Sequence, residues 1–138
     1  MTRPVVIDAS AGVEIVIGTN RGKDLARLIS NSSELWVPEH FYAEVLGAIR
    51  HLHIVSHRVD YRVAERAIDR LLRWHLRQVG LPSLLRPAWN YRFNLTGADA
   101  LYVALALRLG GRLLTDDLRL ANSPGLPANI EFLCLPSD

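Results

Sequence analysis

Residues 97–111, "GADALYVALALRLGG", are apolar from Ala100 to Leu109 except for Arg108. A helix greasy on nearly every face is stable only when other layers enclose it, and the two glycines mark where it stops. The remaining sequence supplies those layers. The run "PVVID" is short and β-branched, as expected of a strand buried on both faces, and "LWVP", "RLLT" and "IEFLCL" read as further short strands. Between them the pattern predicts helices at residues 10–17, about 22–30, 38–52 and 59–79, the last ended by Gly80, with "SNSSE" as a polar loop. Pro38 is placed to stop a strand and open the helix after it. A further helix spans "PSLLRPAWNYRF", where Pro87 argues for an internal break. Strands alternating with helices imply a parallel sheet covered on both faces, hence an α/β fold of three α/β/α layers around a short central parallel sheet. At 138 residues the chain is expected to form one domain, residues 1–138.

Composition narrows the classes. Hydrophobic residues make up 49% and charged residues 22%, the balance of a globular protein, and the formal charge of +2 permits a polyanionic partner without requiring one. The lone cysteine, Cys134, sits in "IEFLCLP" and reads as a small buried hydrophobe. No stretch has the length of a membrane span and "MTRPVVIDASAG" has no signal-peptide pattern, so a cytoplasmic protein is expected.

The acids carry the chemistry. In such a fold ligands gather outside the C-terminal ends of the strands. Asp8 ends "VVID", Asp116 and Asp117 follow "RLLT", and Asp99 lies in the first turn of the apolar helix. On the helix expected from Pro38, Glu44 lies about 80° from the centre of the stripe Phe41, Val45, Ala48, Ile49 and Leu52, whereas Glu39 falls on the solvent side. Each acid has an ordinary structural reading: Asp99 as the third residue of a helix capped by Thr96, Asp116 or Asp117 as a cap, Glu44 as a solvated border residue. Asp8 resists one, because a carboxylate ending a doubly buried strand is costly without a partner. Crowded carboxylates also repel unless a cation neutralises them, and an all-oxygen set suits magnesium or manganese better than zinc.

The order "VVIDASA", "VPEHFYAEVLGAI", "NLTGADALYVALALRLGG", "LLTDDLRLA" resembles the PIN-domain nucleases, and among them the VapC toxins of toxin–antitoxin pairs. The resemblance covers nearly the whole chain. It implies a PIN fold, an endoribonuclease needing Mg²⁺ or Mn²⁺, a homodimer, and inhibition by a cognate VapB-like antitoxin. Position by position it implies that Asp8, Glu44, Asp99 and Asp117 are catalytic, with Asp8, Asp99 and Asp117 as metal ligands. Thr115 and Asp117 fit the family's threonine–any residue–aspartate pattern, which leaves Asp116 in the free position, and Ser10 matches a small hydroxyl residue near the metal. Ala98 departs from the aromatic residue usual before the third acid. Two other classes stand beside this one. A non-catalytic PIN-type RNA- or protein-binding module would have lost acids that are all present here. A phosphoacceptor domain would want a lysine after a late strand, and the only lysine is Lys23.

Arginines at 62, 66, 70, 73 and 77 align along one side of the expected helix at 59–79, as a solvated face, an RNA-tracking stripe or a docking face for acidic partner surfaces. Arg86 and Arg92, nearer the third acid, are candidates for phosphate contacts. His51, His53 and His57 lack zinc-ligand spacing, and Trp36, Trp74 and Trp89 neighbour apolar residues and read as core.

Overall fold

Val5–Ile7 forms β1, with all three side chains fully buried. It lies in the middle of the sheet in the computed structural model, which describes residues 3–32 and 34–137. Around it are β2 (Leu35–Pro38), β3 (Arg77–Val79), β4 (Arg112–Leu114) and β5 (Glu131–Leu133), all parallel, in the order β3-β2-β1-β4-β5. The helices are α1 (Ala9–Ile17), α2 (Asn20–Leu28), α3 (His40–Arg50), α4 (Tyr61–Arg73), α5 (Pro82–Trp89), α6 (Gly97–Arg108) and α7 (Leu118–Ala121). Right-handed crossovers send the helices between β1, β2 and β3 to one face and those between β3 and β4 to the other. The strand order therefore reverses direction between β1 and β4, and that is where a ligand crevice opens in such sheets.

The helix apolar all round is α6. It packs against β1, β2 and β4 and buries Ala100, Tyr102, Val103, Ala104, Leu105 and Ala106. Its start is capped by Thr96, whose Oγ1 accepts from the Asp99 N–H at 3.2 Å. Its end closes through Gly110 and Gly111, with the Gly111 N–H donating to the Ala106 carbonyl at 2.6 Å.

Several expectations are corrected. The helix expected over 59–79 stops at Arg73, and Arg77–Val79 pairs with β2 as an edge strand. The arginine series is accordingly split. Arg70 donates to the Val16 and Ile17 carbonyls at the end of α1, while Arg77 stacks on Trp36 and pairs with Glu34. Pro38 ends β2 rather than opening a helix. The chain goes on pairing with β3 through the Glu39 N–H to Val79 carbonyl bond at 3.0 Å, so α3 begins only at His40. A single π turn, His51–Val55, follows α3. Pro87 does not break α5. Its ring removes the bond that the Ser83 carbonyl would have accepted, and the Arg108 guanidinium donates to that carbonyl instead, at 2.6 Å. Trp89 is 58% exposed and so is not core. Cys134 is half-buried. Within the expected polar loop, Ser33 lies outside the described residues. No helix among the described residues is long and apolar enough to cross a membrane.

Candidate active site

Asp8 leaves β1 and caps α1, so its position is fixed by two elements at once. Its N–H donates to the Leu114 carbonyl of β4 at 3.1 Å, and its Oδ1 accepts from the Ala11 N–H at 3.0 Å. Two hydroxyls donate to the same carboxylate, Ser10 to Oδ1 at 2.7 Å and Thr115 to Oδ2 at 2.5 Å. Each hydroxyl has one proton, which Asp8 takes, so both oxygens turn their lone pairs outward. Ser10 then accepts from the Asp116 N–H at 2.9 Å and Thr115 from the Asp117 N–H at 3.0 Å. The Asp8 carboxylate thereby sets the path of residues 115–117.

No cation offsets this charge in the bonds Asp8 makes. The side chain is 4% exposed, and burial pushes its carboxyl up to about 6 against the hydrogen bonds from Thr115, Ala11 and Ser10, with the Asp99 charge adding to the rise. Asp99 is half-buried in the first turn of α6. Burial raises its carboxyl too, and the charges of Asp117 and Glu44 push the same way against Thr96 and Arg119. The carboxylates of Asp8, Glu44, Asp99 and Asp117 thus sense one another. They do not close into one shell: among the described residues no three His, Cys, Asp or Glu groups are gathered tightly enough to hold a metal ion as they stand. The reason is visible in their bonds. Asp117 caps α7 through the Arg119 and Leu120 N–H groups at 3.0 and 3.3 Å, and Glu44 accepts from the Tyr102 hydroxyl at 2.6 Å. The four acids nonetheless suit a hard dication: they and the adjoining hydroxyls offer oxygen ligands, and the bonds of the buried Asp8 carboxylate among the described residues include no cation.

Asp116 goes elsewhere. Its carboxylate takes a 2.6 Å ion pair from Arg21 on α2, so of the two adjacent acids only Asp117 acts on Asp99.

Two residues near the acids escaped the sequence reading. Tyr102 is 1% exposed, holds Glu44, and has its phenol raised far above the ordinary range, by burial first and then by Glu44. His40 packs on the Tyr102 ring at 4.5 Å, bonds through Nε2 to the Ala98 carbonyl at 3.0 Å, and lies 3.7 Å from Glu44. The available signal was His40 one helical turn before Glu44. Tyr102 was hidden among the apolar residues of α6.

Thr115→Val tests the network. Removing the donor to a buried carboxylate should cost about 2 kcal/mol at neutral pH, read by urea unfolding in chelator. An unchanged midpoint would mean that Thr115 does not hold Asp8.

The profile of the PIN domain family matches residues 5–126, and the chain belongs to that family. Among its relatives, Ribonuclease VapC12 of Mycobacterium tuberculosis is 36% identical over 129 residues, covering 94% of this chain and 98% of its own length. Two solved structures share the fold. One is VapC20 of Mycobacterium tuberculosis, a sarcin–ricin-loop-cleaving toxin, with TM-score 0.62 at 16% identity over 89% of this chain and 96% of that one. The other is VapBC2 of Rickettsia felis bound to a DNA fragment from its promoter, with TM-score 0.61 at 11% identity over 95% of this chain and 98% of that one. At these identities the two structures speak for the fold alone.

Proposed function

We propose that the chain is a metal-dependent endoribonuclease toxin of the VapC type, hydrolysing RNA phosphodiester bonds and neutralised by a cognate VapB-like antitoxin. The observation that carries this reading is Asp8, a buried carboxylate with no cationic partner among the described residues, set where the strand order reverses and pressed by the like charge of Asp99. The relatives named as ribonucleases support the substrate class. Asp8, Asp99 and Asp117 would hold Mg²⁺ or Mn²⁺, with Glu44 completing the acidic set. Bound there, such an ion supplies Lewis acidity toward a phosphodiester and its attacking water. The protein contributes rigidity. Ser10 and Thr115 aim Asp8, the Thr96-capped turn holds Asp99, the start of α7 holds Asp117, and Tyr102 fixes Glu44. Catalysis is then positioning and charge neutralisation.

The reading takes residues 1–138 as one PIN domain acting in the cytoplasm. It includes a homodimer, for which the exposed apolar side chains Leu46, Ile54 and Val55 offer a surface, at 56%, 51% and 54% exposure.

The test is RNA cleavage in Mg²⁺ or Mn²⁺. Asp99→Asn and Asp117→Asn should each lower the rate at least about 100-fold, the scale of removing one preorganised charge, while Asp116→Asn should stay within a few-fold. Cleavage by Asp99→Asn at the parent rate, or undiminished cleavage in chelator, would refute the proposal.

A further inference from the structure

Trp89 and Phe93 are aromatic residues 58% and 83% exposed, on α5 and the turn after it. Leu85, also 58% exposed, lies one helical turn before Trp89, and the three form a ridge along α5 and the turn after it. Between this ridge and the first turn of α6 runs a groove of about 360 Å³. Gly97 and Ala100 line it, and Asp99 lies between them in the chain. The groove therefore starts on the turn that carries an acid of the candidate site.

Its chemistry is specific. Among the described residues, Arg92 is the only charged one lining it. The guanidinium lies 4.9 Å from the centre of the Trp89 ring and 4.4 Å from that of Phe93, and it is tied down by one bond to the Trp89 carbonyl at 3.1 Å. Trp89 also borders a second groove beside Arg86. An apolar protein segment laid here would bury Arg92 with no anion against it, which is costly. A single-stranded nucleic acid meets both demands, offering flat bases to the rings and phosphates to the arginines.

We propose that the groove between α5 and α6 holds an unpaired base of the RNA substrate against Trp89, which lines it, with Arg92 at the adjoining phosphate and Phe93 backing the Arg92 guanidinium. This rests on the reading of the chain as a ribonuclease, and it assigns the groove to a nucleotide next to the scissile bond.

The probe is a short single-stranded RNA of mixed sequence, alongside the same chain with abasic positions. Trp89→Ala should raise KM for the intact RNA roughly 5- to 100-fold, the range for loss of one stacked base, with kcat nearly unchanged, and Phe93→Ala should raise KM by less. Trp89→Phe, which keeps a ring, should recover most of the loss. Arg92→Gln should raise KM and flatten the dependence on salt. Removing the bases should weaken binding to the parent protein and weaken it no further in Trp89→Ala, whose exposed position puts folding at little risk.

Binding to Asp8→Asn protein, measured without turnover, separates the two claims. If the parent cleaves RNA and the ring variants bind and cleave as it does, the groove assignment is overturned and the nuclease reading stands. If no RNA is cleaved with either ion, yet the ring variants lose RNA binding, the groove remains a base-binding site, while its place beside a scissile bond falls with the nuclease reading. If the ring variants instead convert a dimer to a monomer with RNA affinity intact, the ridge is a self-association surface and the assignment is overturned.

Discussion

Asp8→Asn is expected to abolish RNA cleavage and, in chelator at pH 7.5, to make the protein more stable. The two effects share one cause. The folded protein raises the Asp8 carboxyl to about 6, from an ordinary 3.8, because burial penalises its charge. A carboxyl raised by folding binds its proton more tightly in the native state than in the unfolded chain. That contribution is fully present at low pH and is lost as pH climbs from about 4 through about 6. Above that window the ionised, buried Asp8 costs roughly 3 kcal/mol. Asparagine carries no charge and can still accept from Ser10 and the Ala11 N–H, although its amide faces Thr115 where an acceptor stood. The net gain should therefore be smaller, about 1–2 kcal/mol, and should raise the melting midpoint by several degrees. Calorimetry of both proteins at pH 7.5 and pH 4.5 checks this, since the advantage of Asp8→Asn should fade toward the lower pH. Saturating Mg²⁺ should stabilise the parent protein and much less the variant. An Asp8→Asn protein that melts below its parent in chelator at pH 7.5 would show that hydrogen bonds outweigh the buried charge.

Gly111→Ala should unfold the protein more readily than any other single methyl group added at the α6–β4 junction. Gly111 has a φ of 94°, and a Cβ there would sit 2.3 Å from the Asn129 carbonyl oxygen. The first term costs about 1 kcal/mol and the second, an overlap with backbone that no rotamer can relieve, about 1–3. The midpoint should fall by roughly 10 °C. Gly110 is the control: its φ is also positive, at 106°, but nothing lies within 4 Å of its added Cβ. Gly110→Ala should therefore lose only about 1 kcal/mol. Equal losses at the two positions would mean that the contact with Asn129 is relieved by movement of the strand. Because β4 runs from this junction to Thr115, residual cleavage by Gly111→Ala should also fall.

What could be read from the sequence was local. The buried runs at Val5–Ile7 and Leu35–Pro38, the cap at Thr96 and the glycine stop after Arg108 are written in adjacent residues, and each is present in the fold. What could not be read depends on distant partners. β3 is polar at Arg77 and Gln78 because it is an edge, and only pairing with β2 makes it a strand. Pro87 stays within α5 while the Ser83 carbonyl it leaves free is taken by an arginine on α6, 25 residues from Ser83. For the candidate site, position along the chain pointed Asp8, Asp99 and the pair at 116 and 117 toward one sheet edge, and a helical wheel put Glu44 at the border of the stripe on α3. Position alone did not separate Asp116 from Asp117; only the resemblance pointed to Asp117, and the ion pair that takes Asp116 comes from Arg21, 95 residues away. Nor did composition reveal that the acids would turn toward internal donors rather than toward one another.

Two neighbouring aspartates suggest a spare, as if either could stand in for the other. The ion pair to α2 removes that redundancy: Asp116 is moored to a helix from the opposite end of the sequence and cannot swing across without abandoning Arg21. Loss of Asp117 thus has no understudy one residue away, and a revertant would first have to cut the mooring at position 21.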